Sequence, residues 1–432
     1  RFSVRSMIKD FNSGALPGED FIEAGRDLEE GIQAAKLLEA YGYDMLNGDN
    51  GTYDSWWYPH PPVYMPEGCN LAECAEVQKH VSIPVICAGR MEKPELALDA
   101  VESGKVTGIG IARQFLTDPD YCNKLKEGNA DDIRPCIACH EGCLKRIFKG
   151  QDMCCALNPA VCREDAYELK AAEAKKKVMV IGGGIGGMEA ARVLTIRGHE
   201  VSLYEKTDQL GGMFIAASAM IFKESDKRLI RWYERQMEKL PIDVHMNTEV
   251  TDEIIREVDP DVIFQATGSR PRTLKLPGAE NDYVMSAVEA LNAPEKVKGR
   301  IVIIGGGLTG IEIAYDHAKN GEDVTVIEEM DRVLNVDIAA ANLLYLKEAV
   351  GYYGIKIVTG AAVSSLEDGR VTYSAGEEEK AVPADTVIVS IGYDSTSPIH
   401  VEGKEVYTIG DAGRVSNLLG AVWSAYETAM NV

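Results

Sequence analysis

No apolar run in these 432 residues approaches the ~20 needed to cross a bilayer, and no signal peptide is visible. Positive charge is scarce: 45 Lys and Arg stand against 68 Asp and Glu, a formal charge of −23. Nucleic acid and anionic membrane would both be repelled, which excludes them as partners and leaves small molecules. Aromatic residues are few, at 7%, yet 45% hydrophobic and 26% charged residues are ordinary for a soluble globular protein. Self-association is left open. An initiating Met is also lacking. The chain opens at Arg1, inside a stretch that reads as a strand, so it is expected to be a fragment.

Cysteine, by contrast, is concentrated. Cys136, Cys139, Cys143 and Cys155 are spaced C-x2-C-x3-C-x11-C. Thiolates packed this tightly in a cytosolic chain point to metal rather than to disulfides. A structural zinc site uses two separated C-x2-C knuckles, and only one exists here. Three close cysteines with a remote fourth suit the corners of a [4Fe–4S] cluster. Cys154 rivals Cys155 as the fourth ligand, and His140 is a candidate ligand in the zinc alternative.

At this length about three domains are expected. Residues 1–134 alternate short apolar strands with helical stretches: FSVR at 2–5, a helix over 21–41, YDMLNGDNG at 43–51, and a helix near 70–80. IPVICAGR at 83–90, a helix at 94–103 and VTGIGIAR at 106–113 follow, with a final helix after them. Four successive βα units indicate a parallel sheet, with polar and glycine residues gathered at the strands' C-terminal ends. That is where a (β/α)8 barrel keeps its active and phosphate sites. Four units make half a barrel, so roughly 200 further residues are expected before Arg1. After the cysteines, residues 163–177 read as a charged helical linker.

The second half repeats itself. Lys177 begins KVMVIGGGIGGMEAARVLTIRGHEVSLYEK, and Arg300 begins RIVIIGGGLTGIEIAYDHAKNGEDVTVIEE. Gly182, Gly184, Gly187 and Glu205 map onto Gly305, Gly307, Gly310 and Glu328 with one constant offset of 123 residues. Each copy follows an apolar strand, opens a helix and ends in an acid at the tip of the next strand. Two such units bind two dinucleotides, with the pyrophosphate at each helix N-terminus.

Leu210-Gly211-Gly212, FQATGSRP at 264–271 and VYTIGDAG at 406–413 complete the pattern. Together they resemble the two-dinucleotide flavoprotein disulfide-reductase-like family. That resemblance implies FAD on Gly182, Gly184, Gly187, Glu205, Gly212, Ala266, Thr267, Gly268, Gly410 and Asp411. It implies a nicotinamide cofactor on Gly305, Gly307 and Gly310. Glu328 and Glu329 sit where the ribose is held and would repel a 2′-phosphate, which favours NADH, although Arg332 lies close.

Half barrel, cysteines and paired dinucleotide units, in this order, resemble the old yellow enzyme group. It includes 2,4-dienoyl-CoA reductase, 2-enoate reductase, trimethylamine dehydrogenase and the bile-acid-inducible NADH:flavin oxidoreductases. The enoate and bile-acid branch matches through NGDNGTYDSWWYPHPPVYMP at 47–66. The resemblance implies FMN in the barrel, with Arg1 at the flavin's pyrimidine edge. Gly89, Arg90, Ala112 and Arg113 would be its phosphate loops, where an arginine suits a bidentate contact. Electrons would pass from NADH through FAD and the cluster to FMN, then to an activated C=C bond. Tyr53 falls at the family's substrate-end histidine position, with His60 seven residues later, and these are the catalytic candidates. Trp56, Trp57, Tyr58 and Tyr64 either wall an apolar pocket or pack.

The expected fold is α/β: the C-terminal half of a (β/α)8 TIM barrel, an iron–sulfur segment and two nested Rossmann-like dinucleotide-binding domains. Expected boundaries are 1–134 for the barrel part and 135–170 for the cysteine segment and linker. The FAD domain takes 171–272 and 386–432, with the NAD(H) domain inserted over 273–385. The leading function is an NADH-dependent ene-reductase acting on an enoate, an enoyl-CoA or a 3-oxo-steroid. Alternatives are a desaturase or amine dehydrogenase of the same group, or a diaphorase that only moves NADH electrons.

Overall fold

A computed structural model describes residues 1–432. Compactness divides the chain into two units: Arg1–His140 with Ile338–Tyr352, and Glu141–Asp337 with Tyr353–Val432.

In the first unit, β1 (Phe2–Ser3), β2 (Leu46–Asp49), β3 (Val85–Ala88) and β4 (Gly108–Gly110) form one sheet in that order, every neighbouring pair parallel. Helices Leu28–Ala40, Leu71–Gln78 and Pro94–Glu102 connect them. The first begins where the sequence changes from polar loop to 3.6-period apolar pattern. Asp27 caps it, accepting from Glu30 N while Glu30 reaches back to the Asp27 N–H. Val4, Leu46, Val77, Val85 and Cys87 join in one buried core beneath the sheet. The first βα connection also holds a short hairpin, Ile8–Asp10 with Ser13–Gly14, which the strand pattern did not suggest.

The helix Ala340–Tyr352 lies, in sequence, inside the expected NAD(H) domain, yet it belongs to this first unit. One of its faces makes the contacts. Tyr345 stacks on Tyr64 with ring centroids 5.2 Å apart, and Glu348 accepts from Lys9 Nζ at 2.7 Å.

The second unit carries two five-stranded parallel sheets. In the first, β5 (Lys177–Ile181) is flanked by β6 (Glu200–Tyr204) and then β7 (Ile242–His245). On its other side lie β8 (Val262–Gln265) and the Glu405–Thr408 strand. The second sheet runs in the order β9 (Val284–Ser286), β13 (Thr386–Val389), β10 (Ile301–Ile304), β11 (Val324–Ile327) and β12 (Lys356–Val358). The strands VIFQ, IVII and TVIV are buried throughout, as parallel strands covered on both faces must be. One face of the second sheet packs Val302, Ile304 and Val387 against Val371 and Tyr373 of the antiparallel sheet formed by Ala361–Ser365, Arg370–Ala375 and Glu378–Pro383. An antiparallel pair, Ser269–Pro271 with Tyr393–Ser395, carries the chain out of the first module and back, so the second is an insertion.

The linker departs from expectation. Residues 163–177 hold turns and extended chain, not a helix, until β5 begins at Lys177. A helix this short is marginal without an apolar face to bury. Here tertiary contacts win: Ala172 N donates to Arg197 O, and the Tyr167 hydroxyl donates to Glu427 Oε1 at 2.6 Å.

Candidate functional site

The two glycine turns have the same construction. Gly182 and Gly305 adopt φ of +108° and +106°, which only glycine tolerates cheaply. A side chain at Gly187 would stand 1.9 Å from Gly182 O, and one at Gly310 would stand 2.1 Å from Gly305 O. Those two glycines are therefore demanded by packing between turn and helix. Gly184 and Gly307 differ: a side chain there would meet nothing within 4 Å, and both have ordinary negative φ. Nothing in the protein itself requires glycine at either place. The vacant space lies at the N-termini of the helices Ile185–Ile196 and Leu308–Lys319, where N–H groups and the helix dipole favour a phosphate.

Each turn is braced by its distal acid. Glu205, 6% exposed, accepts from Gly183 N and from Thr207 N, both at 2.8 Å. Glu328 accepts from Gly306 N and, at 2.8 Å, from Met330 N. A carboxylate has about four lone-pair positions, so each retains capacity for a ribose hydroxyl. Glu329 is exposed. Arg332 is exposed too, and its Nε and Nη2 both reach Asn335 Oδ1, at 2.9 and 2.7 Å.

Around the first turn the other expected FAD residues gather. Gly211 N donates to Gly183 O at 2.9 Å, and a side chain at Gly212 would lie 3.1 Å from Gly184 Cα. Ala266 O passes directly beneath Gly182, and Thr267 Oγ1 meets Thr396 Oγ1 at 2.6 Å. Gly268 takes φ of +71°, the turn that starts the crossover strand. Gly410 N donates to Ser424 Oγ at 2.9 Å, and Asp411 accepts from Ser416 N at 3.0 Å. Burial raises the Asp411 carboxyl, opposed by the Ser416 N–H and the Ser269 hydroxyl.

In the first unit, Arg1 pairs with Asp49 at the end of β2 and donates to Pro59 O at 3.0 Å. Gly89 takes φ of +129° with Asn70 packed against it. Arg90 turns inward: it is 4% exposed, and its Nη1 donates to Val63 O and Met65 O, both at 2.8 Å. That guanidinium is engaged in holding the loop that carries Val63 and Met65. Ala112 caps the short helix Arg113–Thr117. Arg113 Nη1 lies 2.6 Å from His140 Nε2, and His140 Nδ1 lies 3.0 Å from Asn342 Oδ1. A guanidinium only donates, so Nε2 accepts and the proton sits on Nδ1, directed at Asn342. Burial first, then Arg113, pulls the His140 imidazole well below its usual range.

Tyr53 is 83% exposed and stacks on Trp56 at 4.9 Å, and Trp56 packs on His60 at 4.5 Å. Burial, with Arg1 and Arg113 nearby, lowers His60 to about 4. At neutral pH His60 is therefore uncharged and a poor acid. Trp57, Tyr58 and Tyr64 are at most 3% exposed and pack inward; Trp57 Nε1 donates to Ala15 O at 3.1 Å. The packing alternative holds for these three.

The cysteine segment straddles the division of the chain, with Cys136 and Cys139 in one unit and Cys143 and Cys155 in the other. Cys136 N donates to Gln114 Oε1 at 2.8 Å, while Ala138 and His140, at φ of +51° and +63°, coil the loop tightly. In the second unit, Cys154 N donates to Gly142 O at 2.8 Å, and a side chain at Gly142 would strike Cys155 Cα at 2.9 Å. Leu157 N donates to Cys155 Sγ at 3.4 Å. Cys154 is instead 2% exposed, and burial pushes its thiol up to about 11. Among the described residues no three His, Cys, Asp or Glu side chains converge as ligands of one ion must. A [4Fe–4S] cluster makes a different demand, since its four thiolates bind four separate irons.

One buried ion pair belongs to no motif. Lys223 Nζ, in the loop before the Glu224–Lys239 helix, donates to Glu312 Oε2 at 2.7 Å. Burial draws the ammonium's pKa down, but Glu312 and Asp226 more than offset it and the net shift is upward. Glu312 stands two residues after Gly310, so its position in the repeat was the available signal. The first copy has Glu189 at the matching place, paired instead with Arg192 at 2.8 Å.

Comparison with known proteins gives the class. Residues 148–260 and 255–416 match the pyridine nucleotide-disulphide oxidoreductase family, and residues 14–132 match the NADH:flavin oxidoreductase / NADH oxidase family. The chain belongs to the flavin-dependent oxidoreductases that join these two, on the 2-enoate reductase branch of the old yellow enzyme group. Cinnamate reductase of Clostridium sporogenes is 42% identical over 438 residues, covering 100% of this chain and 66% of that protein. NADH oxidase of Thermoanaerobacter brockii is 34% identical, covering 96% of this chain and 65% of that protein. A solved 2-naphthoyl-CoA reductase, in complex with 2-naphthoyl-CoA, has a TM-score of 0.88 at 31% identity, over 95% of this chain and 64% of that one. The chain thus spans 64–66% of the length of these relatives. No helix is long and apolar enough to cross a membrane.

Proposed function

We propose that the protein is an NADH-dependent iron–sulfur flavoprotein ene-reductase, reducing the activated C=C bond of an enoate or enoyl-CoA. The observation that carries this is the pair of glycine cradles in one unit, each with room beside its second glycine and rimmed by a carboxylate. The similarity to a cinnamate reductase and a 2-naphthoyl-CoA reductase supports the substrate class. When bound, FAD, a [4Fe–4S] cluster and FMN supply hydride acceptance from NADH, single-electron transfer and hydride delivery to the β-carbon.

The chain's residues do the holding and aiming. The Gly182 cradle, Glu205 and Asp411 would take FAD at its pyrophosphate, ribose and ribityl chain. The Gly305 cradle and Glu328 would take NADH. Arg113, with the main chain of Gly89, Arg90 and Ala112, would take the FMN phosphate, and Arg1 the flavin's pyrimidine edge. Cys136, Cys139, Cys143 and Cys155 would hold the cluster; the N–H donated to the Cys155 sulfur favours Cys155 over Cys154. Tyr53, exposed and bearing a phenol, is the proton donor or enolate-oxygen partner of the pair, with neutral His60 fixing the Trp56 stack beneath it. A cytoplasmic location goes with cysteines kept for metal.

Cofactor preference tests the reading. A carboxylate–ribose hydrogen bond is worth about 1.5–3 kcal/mol, so Glu328→Ala should weaken NADH by roughly ten- to a hundredfold. Changing Glu328 and Glu329 to Ser and Arg should move kcat/KM with an artificial acceptor toward NADPH. A wild type that already prefers NADPH would sink the assignment and direct attention to Arg332, which the structure ties to Asn335.

A further inference from the structure

One helix touches both the FAD cradle and the cysteine segment. The helix Leu418–Ala429 lies wholly in the second unit and packs along the Ile185–Ile196 helix that opens the first glycine turn. On its cradle side, Ser424 Oγ accepts from Gly410 N at 2.9 Å, and Ala421 O lies 3.6 Å from where a Gly186 side chain would begin. On its cysteine side it makes two further bonds. Asn417, which caps the helix by accepting from Gly420 N, donates to Glu141 Oε2 at 2.9 Å, and Glu141 lies between Cys139 and Cys143. Trp423 Nε1 donates to the carbonyl oxygen of Cys155 at 2.9 Å.

Trp423 is itself held. The Arg163 guanidinium lies 4.4 Å over its ring and 4.2 Å over the Tyr167 ring, so one cation bridges two aromatic faces. Tyr167 is anchored in turn by its hydroxyl, which donates to Glu427 Oε1 at 2.6 Å on the same helix. The indole therefore has little freedom, and its N–H fixes the peptide that carries the Cys155 side chain. Neither the glycine motifs nor the cysteine spacing requires a tryptophan here, so its N–H bond needs its own explanation.

We infer that Trp423 is a positioning residue for the fourth cluster ligand, and that the Leu418–Ala429 helix sets the spacing between the FAD site and the iron–sulfur site. This rests on the cofactor reading above. Trp423 orients Cys155 through its main chain and touches no reacting atom. Because Ala421, Trp423 and Ser424 sit within one helical turn, a shift at the flavin side reaches Cys155 with little slack.

Trp423→Phe is the discriminating variant, since it keeps the ring and the Arg163 contact and removes only the N–H. Isolated anaerobically, it should hold FAD in the wild-type amount and reduce that FAD with NADH at the wild-type rate. Electron passage from FAD to the cluster should slow by roughly three- to tenfold, the scale of one lost hydrogen bond. The electron paramagnetic resonance spectrum of the reduced cluster should shift as the Cys155 thiolate reorients. A variant with wild-type cluster reduction and an unchanged spectrum would overturn the inference. So would one that loses FAD together with iron, since the helix would then be general scaffold. A wild type that binds no iron would overturn the cluster reading itself, and is told apart by its iron content.

Discussion

Glu312 Oε2 stands 2.7 Å from Lys223 Nζ, an ion pair that joins the two dinucleotide modules of the second unit. Lys223 comes from the loop before the Glu224–Lys239 helix, and Glu312 from the helix opened by the second glycine turn. Each is too buried to be left alone. Breaking such a pair strands a charge, whereas replacing both members with apolar groups does not.

Glu312→Leu should therefore cost about 3–5 kcal/mol of unfolding free energy, and the double change Lys223→Met with Glu312→Leu should recover most of it. Urea unfolding followed by circular dichroism reads both. Additive losses would show that the two side chains do not depend on each other.

The glycines divide into two kinds, and substitution should separate them. Gly187→Ala places a methyl 1.9 Å from Gly182 O and should destabilise by about 1–3 kcal/mol. Gly184→Ala meets nothing within 4 Å and should stay within about 0.5 kcal/mol of wild type, yet lose much of its FAD. The checks are the unfolding midpoint of the apoprotein and the flavin content of the purified one. Full FAD in the Gly184 variant would remove the pyrophosphate from that turn.

Arg113, oriented by His140, should act on the phosphate of FMN and on nothing else. Arg113→Ala should weaken FMN by roughly ten- to a hundredfold and leave riboflavin, which lacks the phosphate, unchanged. Flavin fluorescence quenching measures both. Equal losses for the two flavins would place Arg113 elsewhere.

His60 makes a pH prediction. Its folded pKa, about 4, lies below the ordinary 6.5, so the unfolded chain binds the proton more readily. Its contribution to stability is complete above about pH 6.5 and is lost as pH falls toward 4. NMR titration of labelled histidine should find one ring with a midpoint near 4, removed by His60→Gln. A midpoint near 6.5 for His60 would return it to the list of proton donors.

The parts legible in sequence are those where chemistry dictates residue type at fixed spacing. Gly182 and Gly305 must be glycine for backbone reasons, and β5 and β10 must be apolar because both faces of each sheet are covered. Contacts between segments distant in sequence were not legible. The Ala340–Tyr352 helix lies, in sequence, inside the expected NAD(H) domain, and its Asn342, Tyr345 and Glu348 contacts reveal its place with the barrel strands. Arg90 reads as a phosphate ligand until its guanidinium is seen on Val63 O and Met65 O. The 163–177 linker has a helical composition that tertiary contacts override. Trp423 carries no motif, and its bond to Cys155 O spans 268 residues of chain.

The ene-reductase claim meets its most direct test in anaerobic stopped-flow reoxidation of the NADH-reduced, full-length protein. Cinnamate, an enoyl-CoA and a 3-oxo-Δ4 steroid are mixed in separately, and the saturated product is identified. The account predicts rapid flavin reoxidation by an enoate or enoyl-CoA, with one saturated product formed per NADH consumed. Reoxidation by oxygen or an artificial acceptor alone, with every C=C compound left untouched, would contradict it and favour an NADH oxidase or diaphorase.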